Sequence, residues 1–197
     1  MKILHLSDTH GSHRKLKDLP KADVVVHSGD ITMAGSEEEV ADFIRWFDSL
    51  PYRRKIFIAG NHDDSLYEGY VGKLQPNIHY LRNSGIEIDG LKFYGVPMFM
   101  EDCMSEMQEE FYYRIPSDTD VLITHAPAFG ILDFGYMHQG SKALREIMST
   151  LRLKAHIFGH IHDNPGIKTI NGVIFSNASI VSPDYRPINC PKLIDLS

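Results

Sequence analysis

Continuous apolar runs, each closed by a short cluster of Asp, His or Asn, recur along this 197-residue chain. Ile3-Leu4-His5-Leu6, Val24-Val25-Val26 and Ile56-Phe57-Ile58-Ala59 lack the polar alternation of a half-exposed strand and suit strands buried on both faces. Asp8-Thr9-His10, Gly29-Asp30 and Gly60-Asn61-His62-Asp63 follow these three runs. Further runs at Val121 to Thr124 and Ala155 to Phe158 lead into His125 and Gly159-His160-Ile161-His162. Ligand sites of α/β sheets collect at strand C-termini, so the five clusters are expected to meet at one edge.

Helical patterns separate the runs. From Glu37 to Leu50, Ser36 is placed as an N-cap, acidic residues fill the first turn, and Val40, Phe43, Ile44 and Phe47 form one stripe. Strand, loop, helix and strand is the rhythm of an α/β fold. Strands are also expected at Ile86 to Ile88 and Leu91 to Val96, and a helix from Lys142 to Leu151. Asn171-Gly172, between Ile167 to Ile170 and Val173 to Phe175, signals a two-residue hairpin, so the C-terminal third is partly antiparallel. With no linker, low-complexity segment or solenoid-period repeat, a single domain over residues 1–197 is expected.

Composition narrows the function classes. A hydrophobic fraction of 43% supplies a core, while the formal charge of -6 gives no basic footprint for tracking a long nucleic acid. Cys103 and Cys190 belong to no CxxC pair, which points to free thiols in a reducing cytoplasm. MKILHLSDTH is apolar too briefly for a signal peptide, and no stretch has membrane-spanning length. The expectation is a soluble, cytoplasmic protein with no membrane partner.

The clusters offer carboxylate oxygen, amide oxygen and imidazole nitrogen without thiolate, a donor set suited to Mn, Fe, Zn or Ni. Asp8 and His10 are two apart, as are His160 and His162, so each pair can converge on one ion. Gly60 and Gly159 permit close backbone approach where a bulkier residue would block the ions.

Taken in order, DTH, GD, GNHD, His125 and GHIH resemble the calcineurin-like metallophosphoesterase superfamily over nearly the whole chain. Thr119 to His125, His138-Gln139-Gly140 and Asn177-Ala178-Ser179 through Leu196 add a likeness to its MPPED-type branch. The resemblance implies a four-layer αββα sandwich with two facing mixed β-sheets and two divalent metal ions at one edge, Mn foremost. It assigns Asp8, His10, Asp30 and His162 to the first ion and Asp30, Asn61, His125 and His160 to the second, with Asp30 bridging. A water between the ions would lose a proton and attack phosphorus in line. His62 would contact the phosphate and protonate the leaving-group oxygen. Asp63 would orient the His62 imidazole, or else cap a turn. The branch resemblance also implies a substrate or phosphate contact at His138.

His5, His27, His79 and His156 are read as structural, and His13 as a surface residue. Met98 to Tyr113, rich in Met and aromatic residues, has two readings: an amphipathic helix covering the core, or a pocket wall stacking on a nucleobase or other apolar leaving group. The favoured function is a phosphodiesterase for small phosphodiesters, cyclic nucleotides among them. The alternatives are a phosphomonoesterase or protein phosphatase, for which Arg14 and Arg186 are the cations in reach, and a catalytically silent interaction scaffold like the metallophosphoesterase-like subunit of retromer.

Overall fold

In the computed structural model, which describes residues 1–67 and 71–196, each apolar run is a strand whose alternate residues enter different cores. In the first sheet β1 (Lys2–Leu6), β2 (Val24–His27), β3 (Arg54–Phe57) and β4 (Ile78–Tyr80) run parallel, with β11 (Lys192–Asp195) antiparallel beside β1. The second sheet orders β5 (Ser84–Ile88), β6 (Leu91–Val96), β7 (Val121–Thr124), β8 (Ala155–Phe158), β10 (Val173–Asn177) and β9 (Gly166–Ile170). Its inner strands are parallel; β5 and β9 are antiparallel edges.

Ile3, Val24, Val26 and Ile56 pack between the sheets against Phe93, Val121, Ile123 and Ile157. Their neighbours Leu4, Val25 and Phe57 turn the other way onto Phe43 and Phe47 of α1 (Glu37–Ser49). Val96 and Leu122 face outward from the second sheet onto Tyr112 and Leu144, which belong to α3 (Met107–Tyr113) and α4 (Lys142–Met148). The result is the four-layer αββα sandwich, and burial on both faces is why the strands lack alternation.

Ser36 caps α1 as expected: its Oγ accepts from Glu39 N at 3.2 Å, and the Glu39 carboxylate accepts from Ser36 N at 3.3 Å, closing a capping box. Glu39 also accepts from Met33 N and Ala34 N, at 2.8 and 3.1 Å, tying the helix start to the loop after β2. Asn171 (φ 50°) and Gly172 (φ 83°) make the expected hairpin turn.

Some boundaries differ. Helix α4 stops at Met148, because Ser149 N and Thr150 N bond three residues back and tighten the last turn. The short strands β4 and β11 carry too little pattern to be foreseen. Met98 to Tyr113 holds two short helices, α2 (Met100–Met104) and α3, separated at Glu106, whose φ is 62°. His13 is buried, not on the surface: its ring lies against Phe43 and Trp46 and pairs with Asp42 at 3.1 Å.

The loop joining β7 to α4 is organised by Asp133, whose carboxylate takes Gly130 N at 2.9 Å, Gly140 N at 3.1 Å and the His138 ring at 2.7 Å. Burial would raise this carboxyl, but the His138 ring and the two amides outweigh it and hold it below the usual carboxylate range. A depressed folded-state value contributes stability above the unfolded value of about 3.9 and loses it as pH falls through the folded value. Wild type should therefore lose stability relative to Asp133→Asn as urea midpoints are followed from about pH 5 toward pH 2; parallel curves would contradict this.

Gly95 marks a close contact between the sheets, since a Cβ there would meet Leu81 Cβ at 2.5 Å and Ile58 Cγ2 at 2.8 Å. Gly95→Ala should destabilise by about 1–3 kcal/mol through overpacking. Urea unfolding tests this, and an unchanged midpoint would place the slack elsewhere.

Candidate metal centre

Because the inner strands of both sheets are parallel, the segments after them meet at one edge. Asp8 comes after β1, Asp30 after β2, Asn61 after β3, His125 after β7 and His160 after β8. Donor atoms of Asp8, His10, Asp30 and His162 lie within 4.8 Å of one another, and those of Asp30, His125 and His160 form a second such group. Asp30 belongs to both. Its Oδ2 stands 3.5 Å from His10 Nε2 and 3.3 Å from His125 Nε2. His162 Nε2 is 3.3 Å from Asp8 Oδ1, and Asn61 Oδ1 is 3.1 Å from His125 Nε2. All seven residues expected as ligands from the sequence are thus gathered at this edge.

Local backbone makes the convergence possible. Asp8, His10, Asp30 and His160 have φ of 50°, 41°, 55° and 68°, the left-handed region that L side chains seldom occupy. Four such residues among seven is strain concentrated where side chains must be aimed. Gly60 and Gly159 give the space: a Cβ on Gly60 would strike the Asp30 carboxylate, and one on Gly159 would strike Ser7 Oγ and the Asp8 carboxylate.

Carbonyl groups orient the rings. His10 Nδ1 donates to Thr32 O at 3.0 Å and His125 Nδ1 to Ser28 O at 2.9 Å, which turns each Nε2 toward Asp30. Ser179 Oγ and His160 N donate to the Asp8 carboxylate. Burial alone would lower His125, but the Asp30 carboxylate beside it raises it to about 9, whereas burial takes His160 down to about 4. The Asp8 carboxyl, which burial would raise, is held well below its usual range by His162 and His125. His10 Nε2 is buried and makes no hydrogen bond among the described residues. An orphaned imidazole nitrogen, two buried carboxylates and a shared donor between two groups fit a pair of divalent cations.

His62 stands beside this centre, its ring edge-on to His10 with centroids 4.7 Å apart. Its Nδ1 donates to Met33 O at 3.0 Å, leaving Nε2 without a hydrogen bond among the described residues, and its backbone N donates to Asp30 Oδ1 at 2.9 Å. The expectation that Asp63 orients this ring is corrected. Asp63 is fully buried and its carboxylate accepts from Gly60 N, Ile31 N, Thr32 N and Thr32 Oγ1, so the Met33 carbonyl takes the orienting place. Burial and the nearby Asp30 charge push the Asp63 carboxyl up to about 6.

Tyr185 was missed at the sequence level. Its ring meets those of His10, His162 and His62 at centroid distances of 4.9, 5.5 and 6.1 Å. No motif surrounds it, and only its φ of 58° in the last long loop sets it apart. Arg14 is turned to Asp42 at 2.7 Å and Arg186 to Asp184 at 3.1 Å, and neither lines the cleft of about 240 Å³ beside the centre. His138 lines a larger neighbouring groove, its ring between those of Phe129 and Phe134. His5 is buried between Ser28 Oγ and Ser176 Oγ, both at 2.9 Å, which joins the sheets beneath the site. Among the described residues no helix is long and apolar enough to cross a membrane.

Comparison with known proteins agrees with this geometry. The family described as Calcineurin-like phosphoesterase matches residues 1–164. Metallophosphoesterase domain-containing protein 1 of Homo sapiens and that of Mus musculus are each 32% identical, over 97% of this chain and 69% of theirs. A UPF0046 protein of Caenorhabditis elegans is 31% identical over 91% of this chain and 69% of its own. Among solved structures, TT1561 of Thermus thermophilus superposes with a TM-score of 0.64 at 14% identity, covering 91% of this chain and 90% of that one. GAP50, the anchor in the inner membrane complex of Plasmodium, gives 0.57 at 12% identity, covering 91% and 71%; these two likenesses concern the fold alone. With five ordered motifs converging on one strand edge and a family match over most of its length, the chain belongs to the calcineurin-like phosphoesterase family, beside the metallophosphoesterase domain-containing proteins.

Proposed function

We propose that this metallophosphoesterase is a phosphodiesterase with a binuclear centre. Asp8, His10, Asp30 and His162 would hold one ion and Asp30, Asn61, His125 and His160 the other, with manganese the first metal to test. Cations bound there supply Lewis acidity at the phosphoryl oxygens and lower the pKa of bound water. The observation that carries the diester preference is the cleft lining, which includes His62, Gln139, Asp163 and Tyr185 but no Lys or Arg among the described residues. A diester brings one negative charge. A monoester brings two, and the guanidinium groups of Arg14 and Arg186 are already committed to Asp42 and Asp184.

Within that reading the side chains divide the work. His62, with Nδ1 fixed on the Met33 carbonyl, holds a proton at Nε2 for the departing oxygen. Asp63 and Thr32 fix the backbone from which His62 projects, Thr32 Oγ1 lying within hydrogen-bond distance of both the Asp63 carboxylate and His62 O. Tyr185 walls one side of the cleft and limits water entry. His138, held by Asp133, contacts the substrate from the adjoining groove. Cyclic nucleotides belong in the first substrate panel.

Two outcomes test this. Added Mn²⁺ should raise the melting temperature of chelator-stripped protein, stabilising it by about 2.7 kcal/mol at 100 times Kd, and Asp30→Asn should abolish the shift; an equal shift in that variant would remove Asp30 from the ligand set. In turnover, Mn-loaded protein should cleave bis(p-nitrophenyl) phosphate in preference to p-nitrophenyl phosphate. His62→Ala should lower kcat by about 10²-fold or more for a diester with an alkyl leaving group, and by less for p-nitrophenol, which leaves without a proton. Equal losses for both leaving groups would deny His62 the proton-donor role.

A further inference from the structure

Next to the metal cleft lies a groove of about 850 Å³, bounded by α3 and the loop joining β7 to α4. His160 and Gln139 line both spaces, so a molecule with its phosphate in the cleft can extend its alcohol into the groove. The lining is acidic: Glu106, Glu109 and Glu110 stand against one cation, Lys142. Glu110 pairs with Arg114 at 3.1 Å, and the Lys142 ammonium lies over the Phe129 ring at 5.4 Å. Glu106 and Glu109 make no ion pair among the described residues.

A second observation is independent of these exposed carboxylates. Gln108, only 7% exposed, also lines the groove. Its Nε2 donates to Pro97 O at 3.0 Å and Tyr112 Oη at 3.2 Å, which fixes the amide orientation and leaves Oε1 as a buried acceptor with no hydrogen-bond partner among the described residues. A buried acceptor left unmatched is costly, and an N–H donor from a ligand would match it. Tyr113 adds an aromatic ring, 59% exposed, on the same wall.

We infer that this groove is a subsite for an ammonium-bearing, partly aromatic alcohol, so that the preferred substrate is a zwitterionic phosphodiester. Its anion lies in the cleft and its cation in the groove. The ammonium group meets Glu106 and Glu109, donates an N–H to an acceptor such as Gln108 Oε1, and lies against an aromatic face. A groove of one charge sign also repels the opposite choice, disfavouring alcohols that carry further phosphates or carboxylates. The assignment of the alcohol as part of a substrate rests on the diesterase reading; the binding preference does not.

The test is binding of tyramine against its neutral isostere 4-propylphenol, measured by calorimetry on the full chain without metal. Tyramine should bind at least about fivefold more tightly at low salt, the preference shrinking as salt rises. In Glu106→Gln/Glu109→Gln, a pair of exposed changes, the two affinities should come within about twofold. Equal affinities in wild type, or a preference unchanged by the double variant, would overturn the subsite. Turnover separates the two readings. No Mn-dependent cleavage of any diester, with the tyramine preference intact, removes the diesterase and keeps the cation subsite. Cleavage of aminoethyl and propyl aryl diesters at equal kcat/KM removes the substrate assignment alone.

Discussion

Asp30 is a carboxylate only 1% exposed, set at the end of a buried strand, and its charge is the constraint around which the site is arranged. A buried anion without partners would cost several kcal/mol. Its Oδ2 is met by His10 from the first sheet and His125 from the second, while Oδ1 takes the backbone amide of His62. The same atoms that offset the charge therefore bring the edges of both sheets together. Gly60 stays side-chain-free because a Cβ would occupy the place of the carboxylate.

A second layer of contacts holds the first in place. Carbonyls of Ser28, Thr32 and Met33 each take a histidine Nδ1, so three ring orientations are fixed by backbone of the loop after β2. That loop is anchored in turn by Asp63 from one side and by Glu39, at the start of α1, from the other. The left-handed conformations of Asp8, His10, Asp30 and His160 are strained for L residues and are kept by this over-determined network. Ring orientation is thus a property of the helix cap and the loop as much as of the histidines.

Two spaces of different character adjoin at His160. The cleft by the candidate ligands is small and lacks Lys or Arg among the described residues. The groove beyond is larger, partly aromatic and acidic. Sharing of His160 and Gln139 makes the pair one continuous surface. Asp133 holds the rim of that surface through Gly130, Gly140 and His138.

Local rules were enough for much of this protein. Continuous apolar runs marked the buried strands, Ser36 and Glu39 marked the start of α1, Asn171-Gly172 marked the hairpin, and the ordered DTH, GD, GNHD, His125 and GHIH motifs named the ligand candidates, because each signal lies within a few residues. Contacts between distant segments were not readable. Asp63 follows His62 in sequence yet serves Ile31 and Thr32, while Met33, 29 residues away, takes the His62 ring. His13 reads as a surface residue in the sequence and is buried against Phe43 and Trp46. Tyr185, in the last long loop, and the unmatched Gln108, in α3, acquire meaning only when tertiary packing places them beside the cleft and its adjoining groove. The sequence by itself determined the longer elements and which donors are present, since propensity, patterning and ligand chemistry are local; the tertiary structure decided the short strands β4 and β11 and which groups face one another, since packing sets distances that spacing along the chain does not encode.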